Sequence, residues 1–296
     1  MSFSVQIGLL LALATAFASV VGFLYKHRGA VESPPVSARR PVRSSLALFR
    51  SRAYTLGILI AMGSWCFHVG ALALAPISLV QSVIAGGLVL LTVTADRLFA
   101  HRVTRREWIG VGLAALGLAF LAATLDGGAD SAHSSSEPAT LAIYIGIVAA
   151  LAVCVAFAAR GTPRAGVLFG ASAGLLWAAS DTSIKALSDK LGDESAFAIL
   201  THPLAGVIAL ASFAGLVVSA RSLQIGKAVP VIAVTSVAAN VFTIAAGPIV
   251  FSEPLPDDTL GVVLRIAAFV LVISAAALTP APVRAAEQVD PEPARA

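Results

Sequence analysis

Nine runs of about twenty apolar residues recur along this chain, and a run of that length is what a helix needs to cross a hydrocarbon layer about 30 Å thick. They lie at residues 5–24, 53–74, 76–98, 109–125, 141–157, 165–184, 197–218, 228–250 and 260–277. With 58% hydrophobic and 12% charged residues among 296, and a mean hydropathy of +0.90, too little polar surface remains to cover a water-soluble globule. The period-two alternation of a membrane β-barrel is absent, and helices satisfy their own backbone groups in lipid. The expected fold is therefore an all-α polytopic membrane helix bundle of about nine transmembrane helices, with the lipid bilayer as its first partner.

Charge sets the expected orientation. Of 20 Lys and Arg, alternate threading gathers all but Lys185, Lys190 and Arg265 on one side, while the acidic loops fall on the other. Basic loops stay cytoplasmic, which places the amino terminus outside and the carboxyl terminus inside. The net charge of +4 thus reflects topology, and no nucleic-acid partner is expected. The run at 5–24 has its basic residues after it and none before it, so it reads as a retained span rather than a cleaved leader. Arginine-rich, alanine-rich usage points to a bacterial inner membrane. Cys66 and Cys154 lie far apart inside apolar runs and read as small hydrophobes.

Two stretches echo each other. Residues 76–85 and 230–239 share Pro, Val, Ser, Val and Ala at five of ten aligned positions, and the turn at 99–110 answers 251–261. Matching spans are offset by five, an odd number, so the halves are expected to have opposite orientation in a four-plus-five arrangement. The halves are residues 1–125, with a basic linker at 26–52, and 141–279. A loop at 126–140 joins them, and a Pro/Ala-rich tail at 280–296 is expected to be disordered. Pro76 and Pro230 open their helices, where a missing N–H costs nothing, and read as repeat hinges.

Polar residues inside spans are costly and mark function by default. Gly166, Gly170 and Gly174 form a small-residue face for close helix packing, and Ala178, Asp181 and Lys185 continue it. Asp181 therefore points into protein. Arg265, at compatible depth in the ninth span, is its expected partner. The alternatives are a structural carboxylate held by Thr182 or Lys185, and an arginine that snorkels to the headgroups. Trp65, His68, Gln81, Trp177 and Asn240 complete a set of substrate-pathway candidates around a polar central cavity. Each polar one also suits plain interhelical hydrogen bonding. No catalytic residues, resident cofactor or metal-ligand set emerge: there is no phosphate-cradling loop, metal-spaced His/Cys group or nucleophile–base pair, so an enzyme is not expected.

The helix entering LAPISLVQSVIAGG, the turn FAHRVTRREW, the following IGVGLAALGLAFL and the echo FSEPLPDDTLGVVL together resemble the drug/metabolite transporter superfamily, the EamA-like membrane proteins. The nine-span layout and long basic linker are most similar to its NIPA-type magnesium transporter branch. His101 and Glu253 occupy the turn position where the superfamily usually carries an acidic residue. Trp65 and His68 stand where the NIPA-type branch carries Glu and Asn. The resemblance implies a secondary transporter moving a small organic metabolite or drug by alternating access, with a coupling proton and a second copy of the chain as candidate partners. A non-transporting membrane scaffold is the rival reading. A magnesium carrier is the weaker third, because one lone carboxylate is poor equipment for dehydrating a cation that favours oxygen ligands.

Overall fold

The computed structural model describes residues 2–31, 49–86, 105–124, 131–191, 193–225 and 228–278. Among the described residues there are ten helices and no strand: α1 (Phe3–Val31), α2 (Arg52–Leu74), α3 (Ile77–Gly86), α4 (Arg105–Ala123), α5 (Pro138–Ala158), α6 (Ala165–Ser188), α7 (Ala196–Thr201), α8 (Pro203–Ile225), α9 (Ala228–Val250) and α10 (Thr259–Leu278). Helices α2, α5 and α6 are long and apolar enough to cross a membrane throughout, and most of the others carry shorter apolar stretches. The chain is an all-α polytopic membrane bundle. Most of the basic linker, the far end of the third span with Arg97, the turn carrying His101, part of the loop between the halves and the tail lie outside the described residues.

Several boundaries differ from the sequence expectation: α1 runs on to Val31, into the stretch expected as linker, α8 runs on to Ile225, and two further differences have a local reason. The run at 197–218 is not one helix: α7 stops at Thr201, His202 is extended (φ −63°, ψ 139°) and α8 restarts at Pro203. A proline disfavours helical geometry in the residue before it and donates no N–H, so the chain breaks there. The His202 Nδ1 accepts the Leu204 N–H and stitches the break. Helix α6 in turn does not end at Ile184. It continues to Ser188, which takes Lys185 out of the loop to which its charge had assigned it and into the helix.

The core forms around α6. Of its apolar stretch 61% is buried, against 22% for α2 and for α5, so α6 is the central helix and the other two are peripheral. It packs on α5, α8 and α9, while α1 lies along α2 and α4 along α10. Small residues set the α6–α9 approach. A Cβ added at Gly170 would stand 2.8 Å from Thr235 Oγ1 and 3.0 Å from the Val231 carbonyl, and one at Gly174 would collide with the Thr235 carbonyl. Gly166 is buried on the same helix. Two backbones come this close only where no side chain intervenes. On the α1–α2 seam Ser64 bridges instead, donating to the Thr15 carbonyl at 3.0 Å and sharing a hydrogen bond with Ser19 Oγ at 2.7 Å.

Helices α2 and α3 meet in an abrupt elbow. Only Ala75, extended at φ −139°, and Pro76 separate them. The Ala75 N–H closes α2 on the Ala71 carbonyl, and the Val80 N–H opens α3 on the Pro76 carbonyl. Pro230 sits correspondingly early, as the third residue of α9.

Candidate functional site

A polar cluster lies where α2 and α3 face α6. Asp181 is seven residues from the end of α6, about 10 Å along the axis at 1.5 Å per residue, so it is set deeper than a span ending at Ile184 implies. His68 Nε2 lies 3.0 Å from Asp181 Oδ1, and Gln81 Nε2 donates to Oδ2 at 2.9 Å. Both carboxylate oxygens are thus taken, one from each arm of the α2–α3 elbow. The side chains of His68 and Asp181 retain 12% and 21% exposure, so the pair is accessible rather than sealed. The other ring nitrogen, His68 Nδ1, is buried and has no partner. With Nε2–H donating to Asp181, Nδ1 is an acceptor waiting for a donor; with the ring protonated, it is a donor waiting for an acceptor.

The expected Asp181–Arg265 pair does not form. Arg265 is buried on α10, and its Nε donates to Thr124 Oγ1 at 2.8 Å, just past the end of α4, while Nη2 finds no partner. It neither reaches Asp181 nor snorkels. Depth was compatible, but the two side chains belong to different seams: α6 turns Asp181 toward α2 and α3, whereas α10 turns Arg265 toward α4.

Among the other pathway candidates only His68 and Gln81 join the cluster. Trp177, one turn from Asp181, lays its ring against α8, where a Cβ on Gly215 would stand 2.6 Å from the indole nitrogen. Asn240 turns back on its own helix, donating to the Ser236 carbonyl and hydroxyl. Trp65, one turn before His68 on α2, is exposed rather than packed against the polar cluster.

Sequence reasoning missed what Lys185 does. Its ammonium is wholly buried and donates three hydrogen bonds, to the Leu72 carbonyl (2.6 Å), the Ala75 carbonyl (2.8 Å) and the Ala132 carbonyl (2.6 Å). Leu72 and Ala75 are at the carboxyl end of α2, where carbonyls lack intrahelical partners and a cation meets the negative end of the helix dipole. Glu253 holds the other arm. Its Oε1 accepts the Ser78 N–H at 3.4 Å, in the first turn of α3, and Oε2 is buried without a partner. Burial pushes this carboxyl above the ordinary carboxylate range, against the opposing pull of the Ser78 hydrogen bonds and the Lys185 charge.

Glu253 is placed by the end of α9. The Phe251 N–H reaches the Ala246 and Gly247 carbonyls, the Glu253 N–H reaches Gly247, and Ser252 between them is left-handed at φ 49°. Gly247 lies directly beneath the Glu253 carboxyl, which a Cβ there would strike. The available signals were the step of four from Asp181 to Lys185, and the acidic residue in the turn FSEPLP.

No group of three His, Cys, Asp or Glu side chains that could hold a metal ion occurs among the described residues. No protein-family model matches the chain, and no solved structure matches it significantly. One curated protein is similar, at 24% identity over 285 residues covering 89% of this chain and 78% of its own length: a probable magnesium transporter, NIPA9, of Arabidopsis thaliana.

Proposed function

We propose that this chain is a membrane transporter that carries a small organic solute by alternating access, with Asp181, His68 and Gln81 at its centre. The observation that carries the reading is the Asp181 carboxylate, held about two turns inside the bundle by one donor from each arm of a bent helix pair. A carboxylate inside a span is expensive, and a scaffold would be better served by apolar packing at that point. His68 Nδ1 supplies the unmet hydrogen-bonding capacity that a solute or proton can use. The similarity to NIPA9 supports a transporter more than it supports a cargo. In this reading the two halves are inverted repeats, and Pro76 and Pro230 open the corresponding helices across which they rock.

Magnesium transport is the second reading, favoured by the description of NIPA9. The cluster offers magnesium one carboxylate already bonded to two nitrogen-bearing side chains, whereas that ion prefers oxygen ligands in octahedral array. A thermal-shift screen of the purified protein against metabolites and divalent cations separates the readings, since a ligand that binds the folded state raises its melting temperature. An organic ligand whose shift disappears in Asp181→Asn supports the proposal. A magnesium shift dependent on Asp181 moves the assignment to cation transport. Ligand shifts untouched by Asp181→Asn would remove the cluster from the binding site.

A further inference from the structure

Among the described residues, one end of the α2–α3–α6 seam is shut. Every residue from Ala75 to Ser82 is buried, as are Thr182 through Ser188, Phe251 and Glu253. At the opposite end of α2, from Arg52 to Gly63, only Gly57 is buried. Asp181 lies one turn below Lys185 on α6. A solute approaching the His68–Asp181–Gln81 cluster from the shut end must therefore part the α2–α3 elbow from α6 and from the α9–α10 connection. The contacts that hold that seam are unusual for a protein interior, where an ammonium ion is seldom fully buried unless paired with a carboxylate. Lys185 is instead satisfied by three backbone carbonyls, two at the elbow and one at Ala132 in the segment before α5.

We infer that Lys185 is the latch of a gate at this end of the pathway, with Glu253 as its second clasp on the same elbow. Backbone carbonyls suit a latch that must open. When the elbow moves away they keep no charge that needs a partner, and the freed ammonium needs only water. A carboxylate partner would leave two charges to be resolvated. Lys185 draws the carboxyl end of α2 toward α6, and Glu253 holds the amino end of α3 through the Ser78 N–H. The two arms of the elbow are clasped from two separate elements and can part from both together. Because the arms also carry His68 and Gln81, opening the gate changes how Asp181 is held. The titratable and charged groups around the latch are Glu253 and Asp189 beside Lys185, and Arg265, which feels the Glu253 charge from α10.

The inference takes its purpose from the transport reading, but its test needs no solute. Hydrogen–deuterium exchange is followed in nanodiscs for the whole chain and for Lys185→Met, which keeps length and removes the donors. Amides of residues 72–82 are expected to exchange at least about tenfold faster, since at least one charge-assisted hydrogen bond is lost from the closed state. The α1–α2 seam around Ser19 and Ser64 is expected to stay unchanged. Glu253→Ala, which removes the second clasp, should accelerate the same peptides by a smaller factor, and it carries the test alone should Lys185→Met fail to fold. Unchanged exchange at 72–82, or an equal rise at both seams, overturns the latch. A ligand screen that finds nothing, with exchange raised only at the elbow, overturns the transport reading and leaves the gate standing.

Discussion

Replacing Asp181 and Gln81 together should cost less than the sum of replacing each, and the structure fixes the size of the discrepancy. The carboxylate accepts from Gln81 at 2.9 Å and contacts His68 at 3.0 Å. A hydrogen bond to a charged group contributes about 1.5–3 kcal/mol net, and the partial exposure of this pair argues for the lower end. Asp181→Leu, which strands two donors, should therefore lose roughly 2–4 kcal/mol, and Gln81→Leu roughly 1–2 kcal/mol. The coupling between them should be about 1–1.5 kcal/mol, whereas Asp181 and Arg265, which share no partner, should be additive within about 0.5 kcal/mol. Reversible unfolding of the purified protein in mixed micelles, followed by far-ultraviolet circular dichroism, measures both cycles. A coupling above about 1 kcal/mol between Asp181 and Arg265, with none between Asp181 and Gln81, would refute the arrangement of this site.

Gly174→Ala should destabilise the protein by about 1–3 kcal/mol because the new methyl meets the backbone of α9, while Gly146→Ala, where a Cβ finds open space, should be neutral or stabilising by up to about 1 kcal/mol; thermal melts of the two variants decide. The Glu253 carboxyl has a raised pKa, so the folded state binds the proton more tightly and stability must fall as pH rises from about 4.3 through the folded value. Over that window the wild-type melting temperature should decline relative to that of Glu253→Gln, and parallel curves would contradict it. If the basic loops are cytoplasmic, a cysteine at Ser135 in a background lacking Cys66 and Cys154 should react with an impermeant thiol reagent on intact cells, and one at Thr162 should not. The opposite pattern would invert the orientation.

The long apolar runs made the helices legible, because a bilayer imposes one length and one backbone solution on every crossing. Periodicity also identified the face of α6 that carries Gly170, Gly174 and Asp181, and it singled out His68 and Gln81 as polar residues within spans. What it could not supply was azimuth between helices. Arg265 and Asp181 match in depth, yet only the bundle reveals that α10 turns its arginine toward Thr124. The partners of Lys185 were illegible for a different reason. They are backbone carbonyls, and a carbonyl has no signature in a sequence. The break at His202 is legible in the Thr201-His202-Pro203 interruption between two apolar stretches that together have the length of one span.

The placing of Lys185 and Asp181 on one helix bears on how the protein is made. A charged side chain at the centre of a span carries a penalty of about 2.5–3.5 kcal/mol, which Asp181, about two turns inside α6, approaches, and Lys185 in the last turn adds a smaller one. Yet the groups that satisfy them, the α2 carbonyls, Ala132, His68 and Gln81, all lie earlier in the chain. They leave the ribosome before α6 does. The segments that satisfy α6 are therefore made before it, and α6 enters against protein rather than lipid. A gene split between α4 and α5 should yield a second half that is degraded when made alone and retained when both halves are made in the same cell.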